Sequence, residues 1–171
     1  VLPGGAGNGE LTGGTETDTL AGDAGNDGLW GDEGEDMLDG GSGIDVLLGG
    51  DGNDQIDGGA DQGFLFGDDG EDVLNGGAGD DVHNGGAGDD LFIAGAGNDT
   101  FNGGDGVDTY DIDASDDYQT SYNVDLSTGT DNQGNTYSGI EHVNGGWGDD
   151  TLTGTSGSNI LDGGVGNDVV N

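Results

Sequence analysis

A nine-residue repeat constrains this chain more than any other feature of its sequence. From residue 4 to residue 111 the chain divides into twelve blocks of nine without insertion or deletion, and three more blocks span 145–171. Most blocks follow G-G-x-G-x-D-x-U-x, where U is a large apolar residue; block 40–48 reads GGSGIDVLL. Each block therefore predicts a tight turn, GGxGxD, followed by a short strand, x-U-x.

The spacing of the apolar residues predicts how the blocks associate. Side chains alternate along a strand, so each block turns its U residue to one face and its neighbours to the other. Two blocks close one coil of eighteen residues, in which two strands face each other across their U residues. Successive coils then pair as parallel strands about 4.8 Å apart. We predict an all-β parallel β-roll with a thin core of Leu, Ile and Phe.

The composition leaves such a roll unstable unless something else supports it. The chain has 37 acidic residues, no Lys or Arg and a formal net charge of −37, and only 29% of its residues are hydrophobic. A chain of this kind is disordered unless a regular repeat and a bound cation compensate for the entropy lost on folding. Cysteine is absent, so disulfides cannot stabilise it.

The missing cationic side chains also exclude partners. Nucleic-acid phosphates are held by Lys and Arg, so nucleic acid is excluded, and anionic membrane surfaces would repel the chain. The sequence has no apolar stretch of 18 residues, so we expect no membrane insertion. No leader peptide is recognisable at the N-terminus. The partner that remains is a metal ion.

Aspartates at the sixth position of the blocks are the predicted metal ligands. Turns two blocks apart stack, so these residues form one column along each edge of the roll. Unit charges about 5 Å apart repel by roughly 3 kcal/mol at an effective dielectric near 20, and a hard dication between turns reverses that interaction. The predicted ligands are Asp18, Asp27, Asp36, Asp45, Asp54, Asp72, Asp81, Asp90, Asp99, Asp108, Asp150 and Asp168.

The repeat resembles the RTX, or haemolysin-type, calcium-binding nonapeptide family. The resemblance implies a right-handed parallel β-roll with Ca²⁺ between turns two blocks apart, in roughly eight complete sites. It also implies a bacterial protein that is secreted or on the cell surface, with type I secretion as the export route. Further ligands implied by the resemblance are the backbone carbonyls of Gly31, Gly34, Gly40, Gly43, Gly49, Gly52, Gly76, Gly79, Gly85 and Gly88.

Some blocks depart from the pattern, and we expect their sites to be weak or empty. Gly9 and Gly63 stand where Asp belongs, and Asp61 stands where the fourth-position glycine belongs. Asn159 keeps an oxygen but lacks the charge. His83 replaces a U residue, and we interpret it as a tolerated core residue.

One stretch of the roll carries apolar side chains on its outer face. Blocks that begin at 22, 40 and 58 stack on one sheet, and their outward ninth positions are Trp30, Leu48 and Phe66, with Val46 and Phe64 beside them at the seventh position. A contiguous exposed apolar stripe usually marks a contact site. We call these five residues the apolar stripe and expect it to dock another domain, another copy or the segment 112–144.

The repeat divides the chain into three regions. Residues 1–111 form a β-roll of twelve repeats, and residues 145–171 form a roll of three more. Residues 112–144 break the nine-residue register, and we interpret them as irregular connecting coils of the same roll.

Two functions from different classes fit these observations. The first is a calcium-triggered folding module of an exported protein, without catalytic residues, whose partner domains carry any chemistry. The second is a structural or adhesive block that associates with itself through the apolar stripe or end to end. A third, glycan binding through Trp30 or Trp147 and bound Ca²⁺, also remains open.

Overall fold

The computed structural model describes residues 1–93, 95–112 and 120–171, and the regular structure in these residues consists of β-strands alone. Within residues 2–111 the strands pair in parallel with an offset of eighteen residues, so that Leu29 lies beside Leu47 and Leu47 beside Leu65. The chain is a β-solenoid with two blocks in each coil. The all-β, parallel fold predicted from the repeat is confirmed.

Two long parallel sheets form the walls of the solenoid, and a short third sheet extends one of them. The nine-stranded sheet contains, in spatial order, β1 (Leu2–Pro3), β3 (Thr19–Ala21), β5 (Met37–Asp39), β7 (Gln55–Asp57), β9 (Val73–Asn75), β11 (Leu91–Ile93), β13 (Thr109–Asp111), β16 (His142–Asn144) and β18 (Ile160–Asp162). The seven-stranded sheet contains β2 (Glu10–Gly14), β4 (Gly28–Glu33), β6 (Asp45–Asp51), β8 (Gly63–Asp69), β10 (Val82–Ala87), β12 (Thr100–Asp105) and β15 (Thr136–Ser138). The three-stranded sheet contains β14 (Asn123–Asp125), β17 (Thr151–Thr153) and β19 (Val169–Val170).

The core is a single row of apolar side chains between the two walls. It changes character along the solenoid. The first eight blocks fill it with Leu and Ile, whereas later coils fill it with rings, and Phe101 stacks on Tyr137 at a centroid distance of 5.5 Å. The buried U residues are Leu11, Leu20, Leu29, Leu38, Leu47, Ile56, Leu65, Leu74, Phe92, Phe101, Tyr110 and Leu152.

The glycines of the turn serve two different purposes. At positions two and four they adopt positive φ, as at Gly41 (91°) and Gly43 (125°), a conformation that other residues rarely adopt. The position-one glycine Gly40 has no such φ value. Its requirement is space, because a methyl group there would lie 2.7 Å from Gly58 O and 2.8 Å from Asp45 Oδ2. Position one therefore selects glycine for its lack of a side chain rather than for a positive φ.

Residues 120–144, which we call the junction segment, join the sheets out of chain order. Strand β15 adds to β12, and β16 adds to β13, so the later part of the segment continues both walls. Strand β14 precedes β15 in the chain but lies one coil further along, against β17. Antiparallel bridges through Thr130 connect β14 with β15. Residues 113–119 of the predicted connecting region lie outside the described residues.

The part of the chain that the structure describes contains no helix with the length and apolar character needed to span a bilayer.

Candidate metal sites

The sixth-position carboxylates form hydrogen-bonded ladders along the edges of the solenoid. In each ladder the backbone N–H of one sixth-position residue donates to Oδ1 of the Asp eighteen residues later. Asp36 N donates to Asp54 Oδ1 at 2.8 Å, and Asp27 N donates to Asp45 Oδ1 at 2.7 Å. The ladder explains why the turn ends in Asp, because a side chain of this length reaches the backbone N–H of the preceding coil while the backbone stays in register.

In most of these carboxylates the second oxygen has no hydrogen-bond partner among the described residues. Apart from Asp18 and Asp168, which are partly exposed, the predicted Asp ligands are buried. A buried carboxylate oxygen without a partner is costly unless a cation or a proton compensates its charge. Among the described residues, eight buried Oδ2 atoms have no hydrogen-bond partner, and they belong to Asp27, Asp36, Asp45, Asp54, Asp72, Asp81, Asp90 and Asp108.

Each bare oxygen faces a small space beside the position-one glycine, which we call the turn cleft. A methyl group on Gly22 would lie 2.8 Å from Asp27 Oδ2 and 2.6 Å from the carbonyl oxygen of Gly40, the position-one glycine of the next coil. A carboxylate oxygen of one turn and a carbonyl oxygen of the next therefore share one cleft. The same arrangement recurs at Gly40 with Asp45 and Gly58.

Burial raises the pKa of several of these carboxyl groups. The pKa of Asp72 rises to about 7 because burial disfavours its charge; the N–H of Asp54 opposes this rise, and the charges of Asp90 and Asp54 add to it. The pKa values of Asp54, Asp81 and Asp90 rise to about 6, with burial as the main cause. These columns therefore resist ionisation in the absence of a compensating cation.

The donor set fits a hard cation. In the described residues no three His, Cys, Asp or Glu side chains converge on one point. A cation in a turn cleft would thus be held by carboxylates of adjacent turns together with backbone carbonyls. All-oxygen sets of this kind suit Ca²⁺, which takes six to eight oxygen ligands and tolerates irregular geometry.

The predicted carbonyl ligands occupy two different environments. Those of position one, such as Gly40 and Gly49, lie at the turn clefts of the preceding coil. Those of position four lie against the position-four glycine of the following coil: a methyl group on Gly52 would overlap Gly34 O, and one on Gly106 would overlap Gly88 O. Position one therefore has the more direct access to the bare carboxylate oxygens.

The positions where the repeat lacks its Asp break the ladder on the acceptor side and alter the cleft. Asp45 N, which would donate to an Asp at position 63, donates to Gln62 O at 3.3 Å. Gly63 N donates to Asp81 Oδ1 at 2.6 Å, as an Asp in its place would. The cleft at Gly58 has the Leu65 side chain, rather than a carboxylate oxygen, among the atoms nearest its free position. Asn159 Oδ1 accepts the N–H of Thr155 in its own turn at 2.7 Å.

Two residues outside the nine-residue register act as ladder acceptors in the way that a sixth-position Asp does. Glu141 Oε2 accepts the N–H of Asp108 at 3.1 Å, and Asn135 Oδ1 accepts the N–H of Asp99 at 2.7 Å. The repeat pattern did not predict either residue. A local signal was present, because each stands two residues before a buried apolar or aromatic residue, Val143 or Tyr137, as a sixth-position Asp does.

The apolar stripe is continuous on the outer face of the seven-stranded sheet. Trp30, Leu48 and Phe66 occupy neighbouring places on β4, β6 and β8, and Val46 lies beside Phe64. The first three side chains and Phe64 are half-buried, and Val46 is 36% exposed. The stripe is therefore a flat surface of partly covered side chains.

His83 lies in the core, 1% exposed, between coils that carry Leu65 and Phe101. Its ring stacks on Phe101 at 4.6 Å, and neither ring nitrogen has a hydrogen-bond partner of normal geometry among the described residues. Burial lowers the pKa of His83 to about 4. The imidazole is thus a neutral filler of the core.

Comparison with known proteins agrees with this geometry. A family model described as the RTX calcium-binding nonapeptide repeat (4 copies) matches residues 3–38, 30–65, 63–92, 84–118 and 138–171, which is most of the chain. No curated protein sequence shows significant similarity to it.

Proposed function

Because the chain belongs to the RTX calcium-binding nonapeptide repeat family, we propose that it is a module that folds when Ca²⁺ enters its turn clefts. The observation that carries this proposal is the set of eight buried Oδ2 atoms that have no hydrogen-bond partner among the described residues. Such oxygens in two parallel columns oppose folding through both burial and mutual repulsion. A dication in each cleft removes both costs at once.

Calcium binding and folding are then one equilibrium. A turn cleft requires two stacked turns, and stacked turns require the solenoid, so the unfolded chain has no preformed site. The free energy of binding therefore becomes free energy of folding. The thin core by itself contributes too little free energy of folding, since each block of nine residues buries only one apolar side chain between the walls.

We assign the ions to pairs of turns whose sixth positions both carry Asp. Each ion takes carboxylate oxygens from the two turns and carbonyl oxygens from their glycines. This rule gives roughly eight ions, in the pairs Asp18–Asp36, Asp27–Asp45, Asp36–Asp54, Asp54–Asp72, Asp72–Asp90, Asp81–Asp99, Asp90–Asp108 and Asp150–Asp168.

The module acts outside the cell, as a non-catalytic part of a secreted bacterial protein. Extracellular modules bind Ca²⁺ at roughly 10⁻⁴ to 10⁻³ M, well above cytosolic levels. In the low-calcium cytosol the chain stays unfolded and able to pass an export channel; outside, calcium folds it. The acidic residues recur with the period of the metal clefts, and this period assigns them to binding rather than to catalysis.

Circular dichroism during a calcium titration tests the proposal. The metal-stripped chain should show a disordered spectrum, acquire a β signal cooperatively as Ca²⁺ is added, and lose it again with excess EGTA. Mg²⁺ at the same concentration is the control and should not substitute, because it demands a tighter octahedral shell. A full β signal after exhaustive chelation would refute the proposal.

Self-association is a second candidate function, and the continuity of the apolar stripe favours it. In calcium the stripe would pair two rolls or dock a neighbouring domain. Analytical ultracentrifugation in Ca²⁺ distinguishes the candidates: a compact monomer supports the folding module alone, and ordered multimers support association. If multimers form, Trp30→Asp with Phe66→Asp should abolish them and leave calcium-dependent folding intact.

A further inference from the structure

We propose that the junction segment completes one more calcium site, formed by Asp108, Glu141 and the carbonyl oxygen of Gly139. This inference rests on the proposed calcium function, but it concerns residues that the repeat does not supply. Residues 138–141 read SGIE, which has neither the paired glycines nor the terminal Asp of a GGxGxD turn.

The first component is an unpaired buried carboxylate oxygen. Asp108 is 0% exposed, and its Oδ1 accepts the N–H of Asp90 at 3.0 Å. Its Oδ2 is buried and has no hydrogen-bond partner among the residues that the structure describes. The position of Asp108 therefore matches that of the array aspartates, although no block of the repeat follows it in the next coil.

The second component is a carbonyl in the corresponding place of the cleft. A methyl group on Gly103 would overlap both Asp108 Oδ2 and Gly139 O. In the array the carbonyl at this place comes from the position-one glycine two blocks later. Here it comes from a residue 36 positions on, with a positive φ of 65°. The turn cleft is thus rebuilt from a different stretch of chain.

The third component is the carboxylate of Glu141. Its Oε2 accepts the N–H of Asp108 at 3.1 Å, and the backbone N–H of Glu141 donates to Asp108 O at 3.1 Å. The charge of Glu141 adds to burial in raising the pKa of Asp108. Two acidic groups at one cleft repel each other without a cation, and a dication reverses the sign.

The consequence is a calcium clamp across the interruption of the repeat. The ion would join residues 103–108 to residues 139–141, which are brought together only after the chain has made its detour through β14 and β15. Calcium would therefore hold the end of the junction segment against the array, so that the two regions fold together.

Counting bound ions in the full chain tests this site. Glu141→Gln keeps a side chain that can accept the N–H of Asp108 but removes the charge. Native mass spectrometry and calorimetry in saturating calcium should then show one ion fewer than the wild type. Glu10→Gln, the same charge change at an exposed strand position, is the matched control and should bind the wild-type number.

Hydrogen exchange supplies a second measurement that does not depend on the variant folding. In the wild-type chain, residues 139–144 should gain protection over the same calcium range as residues 103–108. Protection of 139–144 before calcium is added would overturn the clamp, as would an unchanged ion count in Glu141→Gln. Either of these two contradicting results would leave the proposed function intact, provided that the array still binds calcium. A wild type that binds no calcium would overturn both.

Discussion

The turn at residues 49–54 and the loop at residues 131–137 use an aspartate in opposite ways. Asp54 Oδ1 accepts the N–H of Asp36, and Asp54 Oδ2 is buried without a hydrogen-bond partner among the described residues. Asp131 leaves neither oxygen bare: Oδ1 accepts the N–H groups of Gln133, Gly134 and Asn135 at 2.8–3.0 Å, and Oδ2 accepts the side chains of Asn135 and Tyr137.

The difference separates two means of holding stacked coils together. The array keeps its backbone in register but leaves charge uncompensated, so we expect its stability to depend on the calcium concentration. In the loop of the junction segment, protein donors satisfy the carboxylate of Asp131. Asn135 links this network to the neighbouring coil, because its Oδ1 accepts the N–H of Asp99. A metal is needed where a carboxylate oxygen has no donor, and it is dispensable where donors are complete.

Asp54→Asn should have the largest effect of the changes considered, and that effect should be on calcium binding. The amide can still accept the N–H of Asp36, but two adjacent sites lose a charged ligand. We expect the apparent calcium affinity to fall on the order of a hundredfold, about 2.8 kcal/mol. Calcium titrations followed by circular dichroism measure this. The control is Asp51→Asn, an exposed acid of the same turn; an equal loss there would mean that only net charge matters.

Asp131→Ala should act independently of calcium. Removing the carboxylate leaves five donors without their acceptor, and we expect a loss of about 2 kcal/mol in the free energy of unfolding. Urea denaturation at two saturating calcium concentrations checks this, with Asp105→Ala as an exposed control. If raising calcium restores the lost stability, the contrast between array and loop is wrong.

Acid should weaken calcium binding by the array. In a roll held folded by its other ions, an emptied site has a carboxyl group with a raised pKa, about 7 for Asp72. At pH 6 this group is mostly protonated, so the affinity of that site should fall roughly tenfold from pH 8. Calorimetry at pH 8 and pH 6 measures this.

The metal-free chain should respond to pH in the opposite direction. A raised folded-state pKa stabilises the roll fully below the unfolded value near 3.9, and this contribution disappears as the pH rises through about 6 to 7. Chelex-treated protein should therefore show more β structure at pH 4.5 than at pH 8. More structure at pH 8 would contradict the assignment of these shifts to bare carboxylates.

His83→Leu should have the smallest effect and should be stabilising, by about 1 kcal/mol at pH 8, because it removes a buried polar ring without partners. The histidine pKa falls to about 4 in the roll from about 6.5 when unfolded, so wild-type stability declines as the pH falls between these values. The advantage of Leu, measured by urea denaturation in calcium, should therefore grow toward pH 5. A constant advantage would argue against a neutral buried imidazole.

The sequence predicted the array closely because its determinants are local and periodic. Leu29, Leu47 and Leu65 recur at the period of one coil, and so do Asp36, Asp54 and Asp72, so a single register places both the core and the columns. The ligand roles of these aspartates remain a prediction. The period did not reveal that Gly40 is needed for space, whereas Gly41 and Gly43 are needed for their positive φ.

What the sequence determined by itself is therefore the solenoid, its parallel pairing and the two acidic edges, since strand alternation and an unbroken period of nine leave one way to bury the U residues. Only the tertiary structure decided how the interrupted region rejoins the roll. The places of Glu141 and Asn135 in the ladders depend on contacts 33 and 36 residues away. Such contacts follow from which strand reaches an open sheet edge, a choice made by packing over the whole coil and not by any local pattern.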